Sequence, residues 1–182
     1  MKVTRGQVPR TVDTVLLTGN GVEEVRVLKI IAEKFNHRGK VIIIPTLPTR
    51  TGVRGVIEQL STLLHKTRPR YCLIIIDREH VPNKDVFSST LKQYGFEVLD
   101  IKELNDHALV ITCRKGPKQV TIYIAISGFT EKGNIEENIR KLREVIGEAA
   151  TKEELLKRAS MKHLEQAFPG LTTILKLLSE NT

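Results

Sequence analysis

The sequence contains no tryptophan, and aromatic residues make up only 4% of its 182 residues. Its five phenylalanines and three tyrosines do not cluster, so a stacking platform for unpaired bases is poorly supported. Apolar runs are short, and none approaches the roughly 20 residues that a membrane-spanning helix needs. The basic N-terminal stretch lacks the apolar segment of a secretory signal. We therefore expect a cytoplasmic protein with no membrane partner.

Cysteine is also sparse, and the usual phosphate-binding motifs are missing. Cys72 and Cys113 lie in separate apolar runs, at a spacing that suits neither a zinc site nor a redox motif, so we expect two buried free thiols. No GKS or GKT follows a glycine-rich loop, and no G-x-G-x-x-G is present. The common P-loop and dinucleotide-binding enzymes are therefore disfavoured.

Positive charge is the first feature present in excess. Lysine and arginine number 29 against 21 aspartates and glutamates, a formal net charge of +8. A basic protein concentrates near polyanions, and nucleic acid is the commonest polyanion inside cells. The charge favours nucleic acid as the partner without requiring it, because many basic proteins bind none.

Apolar strands alternate with amphipathic helices through the first hundred residues. TVLLTG, VIIIP, YCLIII and FEVLDI are predicted strands, and the segments between them have helical periodicity. Among these helices, GVRGVIEQLSTLLHK at 52–66 has a single apolar face, and the next helix is predicted to end at Gly95. This alternation predicts a parallel sheet covered on both faces. Two further strands around KGPK predict a hairpin. We expect an α/β fold with a three-layer αβα core and a β-hairpin extension over residues 1–147, and a C-terminal helical extension over 148–182 packed on it.

Two acids follow the most apolar predicted strand, in the stretch YCLIIIDREHVP. Asp77 and Glu79 occupy alternating positions, so their side chains can point the same way. Neighbouring carboxylates repel each other unless a cation lies between them, and Mg²⁺ needs only one or two protein carboxylates. The alternative is a pair of solvated loop acids, or partners for Arg78 or His80.

Other polar residues are predicted at the same edge, because right-handed crossovers bring the ends of all parallel strands together. Open α/β sheets bind their ligands along that edge. Gly21 lets the backbone approach a phosphate, while Arg50, Arg54 and Arg78 add positive charge beside a helix N-terminus. A rigid, solvated loop explains Arg50 and Arg54 equally well.

The order of strand, NGVEEV, helix, strand, helix and LIIIDRE resembles a Toprim domain, the metal-binding module of topoisomerases, primases, OLD-type nucleases and small standalone proteins. The resemblance places the family's glutamate on Asn20 and the following glycine on Gly21. It places the later acid of that turn on Glu24, and the paired aspartates on Asp77 and Glu79. It implies a Mg²⁺ site in a nuclease or nucleotidyl transferase.

GNIEENI at 133–139 is also similar to a segment of small standalone members of the family.

One departure from the family pattern affects proton transfer, because Asn20 stands where the family has a general acid/base. An amide has no accessible pKa for that role, although its carbonyl can still bind a metal. Glu23 and Glu24 lie in the first turn of the following helix, where the helix dipole favours acids, so their presence does not require a functional site. The alternative is that Glu23 or Glu24 substitutes for the missing glutamate, although helix geometry points at most one of them at this edge.

We therefore expect a Toprim-like protein that binds nucleic acid through its phosphate backbone, with a Mg²⁺ site and a weakened or lost nuclease or nucleotidyl-transfer activity. The first alternative is an active metal-dependent nuclease or primase-like enzyme. The second is a phosphate-ligand-binding α/β protein or a protein-interaction module.

The C-terminal segment is predicted to be helical, with a capping box of Thr151 and Glu154 and an interruption at Pro169. Its helices have one basic and one apolar face. The basic face is either solvated or a surface for the nucleic-acid backbone. The apolar face either packs on the sheet or forms an interface in a homo-oligomer or with a protein partner. The basic residues are Lys152, Lys157, Arg158, Lys162 and His163, and the apolar ones include Phe168, Leu171, Ile174, Leu175 and Leu178.

Overall fold

The computed structural model describes residues 1–19, 22–35, 40–46, 50–147 and 150–180. The strands in these ranges are β1 (Lys2–Gly6), β2 (Thr11–Thr18), β3 (Val41–Pro45), β4 (Arg68–Asp77), β5 (Glu97–Asn105), β6 (Ala108–Lys115) and β7 (Lys118–Ser127). The helices are α1 (Val22–Lys34), α2 (Gly52–Lys66), α3 (Asp85–Gln93), α4 (Ile135–Ile146), α5 (Lys152–Arg158), α6 (Met161–Ala167) and α7 (Pro169–Glu180), and a 3₁₀ turn covers Arg78–His80.

The strands described form one sheet with the order β1-β3-β2-β4-β7-β6-β5. The first five strands in this order are parallel, and β6 and β5 continue the sheet antiparallel. Helices α1 and α4 to α7 pack on one face of the sheet, and α2 and α3 pack on the other. The predicted α/β class with helices on both faces is confirmed.

β4 shows why the central strands are apolar at every position. Leu73 and Ile75 belong to the core under α1, while Cys72, Ile74 and Ile76 belong to the core under α2. A strand buried on both faces cannot alternate apolar and polar residues.

The two cysteines lie in this interior as predicted. Cys72 and Cys113 are free and buried. Burial raises the pKa of Cys113 to about 12 and also raises the pKa of Cys72. Both thiols are therefore held in their neutral form.

The predicted places of the last strands were wrong. β6 and β7 are not an extension, because β7 runs parallel to β4 inside the sheet. β5, predicted as the fourth parallel strand, pairs antiparallel with β6 at the outer edge. The physical reason is burial: β7 is almost wholly buried, whereas β5 is mostly exposed. The charged residues within EVLDIKELN are typical of an edge strand.

The two chain ends also add elements that were not predicted. β1 pairs with β3 at the other edge of the sheet, although no strand was expected before residue 14. The C-terminal helix breaks at Ser160, which caps α6, as well as at the predicted Pro169. The predicted capping box of Thr151 and Glu154 is present, and the predicted glycine after α3, Gly95, has a φ of +77°.

The apolar face of the C-terminal helices packs on the sheet. Phe168, Leu171, Ile174, Leu175 and Leu178 are all buried in the core that contains α1. This is the first of the two alternatives that the sequence left open. The boundary between residues 147 and 148 stays a prediction, since one core joins both sides of it.

The order of the strands reverses at one position in the sheet. β3 lies on one side of β2 and β4 on the other, and α1 and α2 pack on opposite faces. The strand order therefore reverses between β2 and β4, and open α/β sheets bind ligands beside such a reversal. No helix in the described ranges is both long and apolar enough to cross a bilayer.

Candidate functional site

The carboxyl edge is the side of the sheet where β2, β3, β4 and β7 end, at Thr18, Pro45, Asp77 and Ser127. Gly19 seats the loop after β2 tightly at this edge. Its N–H donates to the Ile75 carbonyl (2.9 Å), and its own carbonyl accepts from the Gly52 N–H (3.2 Å). A Cβ at position 19 would lie 2.7 Å from Ile76 Cγ1. Only glycine therefore lets this loop lie against β4 and the start of α2 without displacing Ile76.

Asn20 and Gly21, which follow directly, lie outside the described residues. Their predicted roles, at the acid/base position and near a phosphate, stay predictions.

Asp77 is buried at the end of β4, with 3% of its surface exposed. Its Oδ1 accepts a hydrogen bond from the Ile135 backbone N–H at 3.0 Å. Ile135 is the first residue of α4, so the carboxylate lies at a helix N-terminus, where negative charge is stabilised. The side chain therefore has a structural role in docking α4.

Glu24 is equally buried, with 2% of its surface exposed. Desolvation raises the pKa of Glu24, and the negative charges of Asp77 and Glu23 raise it further. The influence of Asp77 means that these two carboxyl groups, which come from different βα junctions, interact electrostatically. Their predicted convergence on one cation at the carboxyl edge stays a prediction.

Glu79 differs from that pair in its surroundings. β4 ends at Asp77 and the chain turns into the 3₁₀ turn, so strand alternation no longer applies to Glu79. Its side chain is exposed, with Oε1 3.7 Å from His80 Nε2, and its backbone N–H donates to the Gly133 carbonyl (3.1 Å). The arrangement corresponds to the alternative of a loop acid partnered by His80, and a metal role for Glu79 stays a prediction.

The three arginines predicted to bind phosphate already contact protein groups. Arg78 Nη2 donates to the Asp106 carbonyl (2.7 Å) and its Nε to the Gly128 carbonyl (3.4 Å). Arg50 lies 3.6 Å from Glu58 Oε1. Arg54 Nε donates to the Tyr94 hydroxyl (3.3 Å), which raises the pKa of Arg54. Arg78 joins two loops of the carboxyl edge, while Arg50 and Arg54 remain largely exposed.

A lysine that the sequence reasoning did not place at this edge neutralises further acids. Lys152, at the start of α5, lies 3.5 Å from Glu23 Oε1 and also contacts Glu136 Oε1. These carboxylates raise the pKa of Lys152. Glu136 belongs to the segment GNIEENI, so that motif was the available signal, whereas its lysine partner lies 16 residues later.

His107 is a second unpredicted residue at this edge. Its Nδ1 lies 3.3 Å from Arg78 Nη2, and its ring meets the Phe129 ring edge-on with 5.3 Å between centroids. Burial lowers the pKa of His107, and the charge of Arg78 lowers it further. The imidazole is therefore held neutral beside Arg78.

The donor set limits which metals suit the site. Across the described ranges, no three or more His, Cys, Asp or Glu side chains are grouped to hold an ion. Glu24 and Asp77 supply carboxylate oxygens alone, which is too little for a zinc site. Two carboxylates are sufficient for Mg²⁺, which keeps several waters.

No family model matches the chain, and no curated protein or solved structure matches it either. The resemblance to Toprim domains therefore rests on the residues of this sequence alone.

Proposed function

We propose that this chain is a Toprim-like protein that binds nucleic acid through its phosphate backbone and Mg²⁺ at its carboxyl edge, with a weakened or lost nuclease or nucleotidyl-transfer activity. The observation that carries the proposal is the buried pair Glu24 and Asp77. The two residues come from separate βα junctions that flank the reversal of strand order. Ligand sites in open α/β sheets lie at that position.

A divalent cation fits the electrostatics of this pair. Burial and mutual repulsion both disfavour two ionised carboxylates, and a cation between them offsets both effects. Glu24 and Asp77 would hold the ion, and the hydrogen bond from Ile135 fixes the orientation of Asp77. A bound Mg²⁺ would supply positive charge for a phosphate oxygen.

The reduced activity follows from Asn20, because an amide cannot take or deliver a proton near neutral pH. Glu23, one possible substitute, is engaged by Lys152.

One observation favours the alternative of an active enzyme. The pKa of Glu24 is raised, and a raised pKa brings a carboxyl group closer to what a general acid needs at neutral pH. In this alternative Glu24 takes over the proton transfer that the family assigns to the Asn20 position.

Nuclease assays with Mg²⁺ or Mn²⁺ on labelled DNA and RNA test the proposal. We expect little cleavage by the wild type, cleavage gained in Asn20→Glu, and loss of that gain in Asn20→Glu/Asp77→Asn. Asp100→Asn, which removes an exposed carboxylate on β5, is the matched control and should change nothing. Strong wild-type cleavage that Glu24→Gln abolishes supports the active enzyme instead. Absence of both nucleic-acid binding and metal binding in the wild type overturns the proposal.

A further inference from the structure

Positive charge that acidic groups leave unneutralised lies at the opposite end of the sheet. At the carboxyl edge, Lys152 pairs with two glutamates, Arg50 with Glu58, and Arg78 binds backbone carbonyls. At the other end, where the parallel strands begin, Arg10, Arg68 and Arg70 form no ion pair with any carboxylate in the described ranges.

Arg68 and Arg70 line a groove of about 510 Å³ at the starts of β2, β4 and β7. We name it the amino-end groove and define it by Arg68, Pro69, Arg70, Pro117 and Lys118, which line it. The Arg68 and Arg70 side chains are exposed, and they occupy alternating positions of β4, so they share one face. Residues two apart in a strand are separated by about 6.6 Å, which lets the two guanidinium groups contact different anionic groups.

Two neighbours extend this positive surface. The Arg68 N–H donates to the Arg10 carbonyl at 2.8 Å, which holds Arg10 beside β4. Lys66 lies exposed at the end of α2, two residues before the start of β4 at Arg68. Arg10, Lys66, Arg68 and Arg70 therefore form one exposed basic border.

The negative groups at the groove are the carbonyl end of α2 and the carboxylate of Asp13. Lys118 Nζ donates to the Leu64 carbonyl and to the Thr67 carbonyl (3.4 Å), which neutralises the negative end of the α2 dipole. Asp13 is the carboxylate that lines the groove, and its Oδ2 accepts a hydrogen bond from Thr14 Oγ1 (2.9 Å). The Tyr71 ring supports Arg70, whose guanidinium carbon lies 4.9 Å from the ring centroid.

We propose that the amino-end groove binds the phosphate backbone of a nucleic acid through Arg68 and Arg70, with Arg10 and Lys66 at its border. The inference rests on the proposed function, because it names the surface that makes the nucleic-acid contact. It moves that contact away from Arg50, Arg54 and Arg78, which were the candidates named from the sequence. Arginine suits this role because its planar donors match phosphate oxygens.

The amino-end groove is far enough from the proposed metal site that nucleic-acid binding in the groove can be tested independently of metal binding. β4 runs from Arg68 to Asp77 over ten residues, which is about 30 Å at the usual strand rise. A straight duplex must have about nine base pairs to cover that distance at 3.4 Å per pair. Binding of a shorter oligonucleotide in the groove therefore does not require Glu24 or Asp77.

Fluorescence anisotropy with labelled duplex and single-stranded DNA and RNA tests the proposal, at salt concentrations from about 50 to 200 mM. We expect Arg68→Ala/Arg70→Ala to weaken binding by about tenfold or more, and to reduce the slope of log K against log salt by about two. Arg5→Ala/Arg143→Ala is the matched control, since it removes the same charge from exposed positions outside the groove. Arg68→Lys/Arg70→Lys keeps the charge and should retain most of the salt slope.

The outcomes separate the groove from the function. If both double alanine variants bind nucleic acid as tightly as the wild type does, the amino-end groove is not the binding surface, and the proposed function stands. If the wild type binds none of the nucleic acids, both are wrong. Equal binding of a poly-glutamate peptide shows a site for acidic protein and also overturns the groove. Melting temperatures of the variants show whether each is folded. If the double alanine variant is not, Arg68→Gln/Arg70→Gln replaces it, with the same expected loss of binding and of salt slope.

Discussion

The two ends of the sheet differ in whether their charged side chains are buried and paired or exposed. The carboxyl edge buries two carboxylates, Glu24 and Asp77, and ties its basic groups to carbonyls, hydroxyls or acids. The amino end exposes Arg68 and Arg70 without an acidic partner in the described ranges. A net charge of +8 conceals this separation, so net charge alone is a poor guide to where a polyanion binds.

The separation follows from helix dipoles acting in a parallel sheet. Each crossover helix starts at the carboxyl edge and ends at the amino end. Acids are favoured in the first helical turn and basic residues in the last. α1 begins with Glu23 and Glu24, and α2 ends with His65 and Lys66. Because the crossover helices share one direction, these local preferences add up to an acidic edge and a basic one.

The largest difference in stability between the two ends is expected when one glycine at each end is replaced by alanine. Gly128 at the carboxyl edge has a φ of +90°, and an added Cβ would lie 2.3 Å from the Gly133 backbone carbon. Gly116, in the hairpin at the amino end, has a φ of +57° and open space around it. We expect Gly128→Ala to lower the free energy of unfolding by about 3–5 kcal/mol, and Gly116→Ala by about 1 kcal/mol. Urea unfolding measures both, and similar losses would contradict the steric account.

Substitution of Asp77 is expected to cause the next largest loss of stability. Asp77→Ala removes the acceptor for the Ile135 N–H and should lower the free energy of unfolding by about 1–3 kcal/mol. Asp77→Asn keeps an acceptor oxygen and should be clearly milder. Asp13→Ala, which alters an exposed acid at the amino end, should stay within about 0.5 kcal/mol. Equal losses for the Ala and Asn variants at position 77 would show that the hydrogen bond is unimportant.

Substitution of Glu24 is expected to change the stability of the fold by an amount that depends on pH. Because the native pKa is raised above the ordinary 4.5, the folded protein binds this proton more tightly than the unfolded chain. The stability that Glu24 contributes therefore falls as pH rises from about 4.5 through the native pKa. Glu24→Gln should raise the free energy of unfolding on the order of 1 kcal/mol at pH 8 without metal, about 2–4 °C in Tm. The gain should shrink towards pH 4.

Thermal unfolding across this pH range measures the effect, with Glu33→Gln as the control because Glu33 is an exposed acid on the same helix. A gain of equal size at every pH would contradict a raised pKa at Glu24.

The smallest effect on stability is expected at the amino-end groove. Arg68→Ala should change the free energy of unfolding by less than about 0.5 kcal/mol. Arg70→Ala should lower it by about 0.5–1 kcal/mol, because it loses the contact with the Tyr71 ring. Differential scanning calorimetry measures both. A loss of several kcal/mol for either variant would assign these arginines to the fold and remove the reason to see them as a free binding surface.

The central part of the fold was predictable because its local signals agree. The helix at Gly52–Lys66 has a single apolar face and its predicted bounds match the structure. Thr151 and Glu154 form the capping box that their spacing indicated. The order of the last strands was not predictable in the same way, since pairing of β7 with β4 depends on contacts far apart in the chain.

The site was only partly predictable for a similar reason. Helix and strand positions bring Glu24 and Asp77 to one edge, and the sequence pattern contained that information. Strand alternation also joined Glu79 to Asp77, but this depended on β4 continuing past Asp77, and the chain turns there instead. The partnership of Lys152 with Glu23 requires α5 to lie against α1, which no local pattern specifies.

Isothermal titration calorimetry with Mg²⁺ or Mn²⁺ tests the central claim most directly, namely that the two buried carboxylates of the carboxyl edge bind one divalent cation. The account predicts saturable binding of one ion by the wild type and by Asp100→Asn, and no binding by Glu24→Gln or Asp77→Asn. Absence of binding to the wild type at millimolar metal, or unchanged binding by Asp77→Asn, would contradict it.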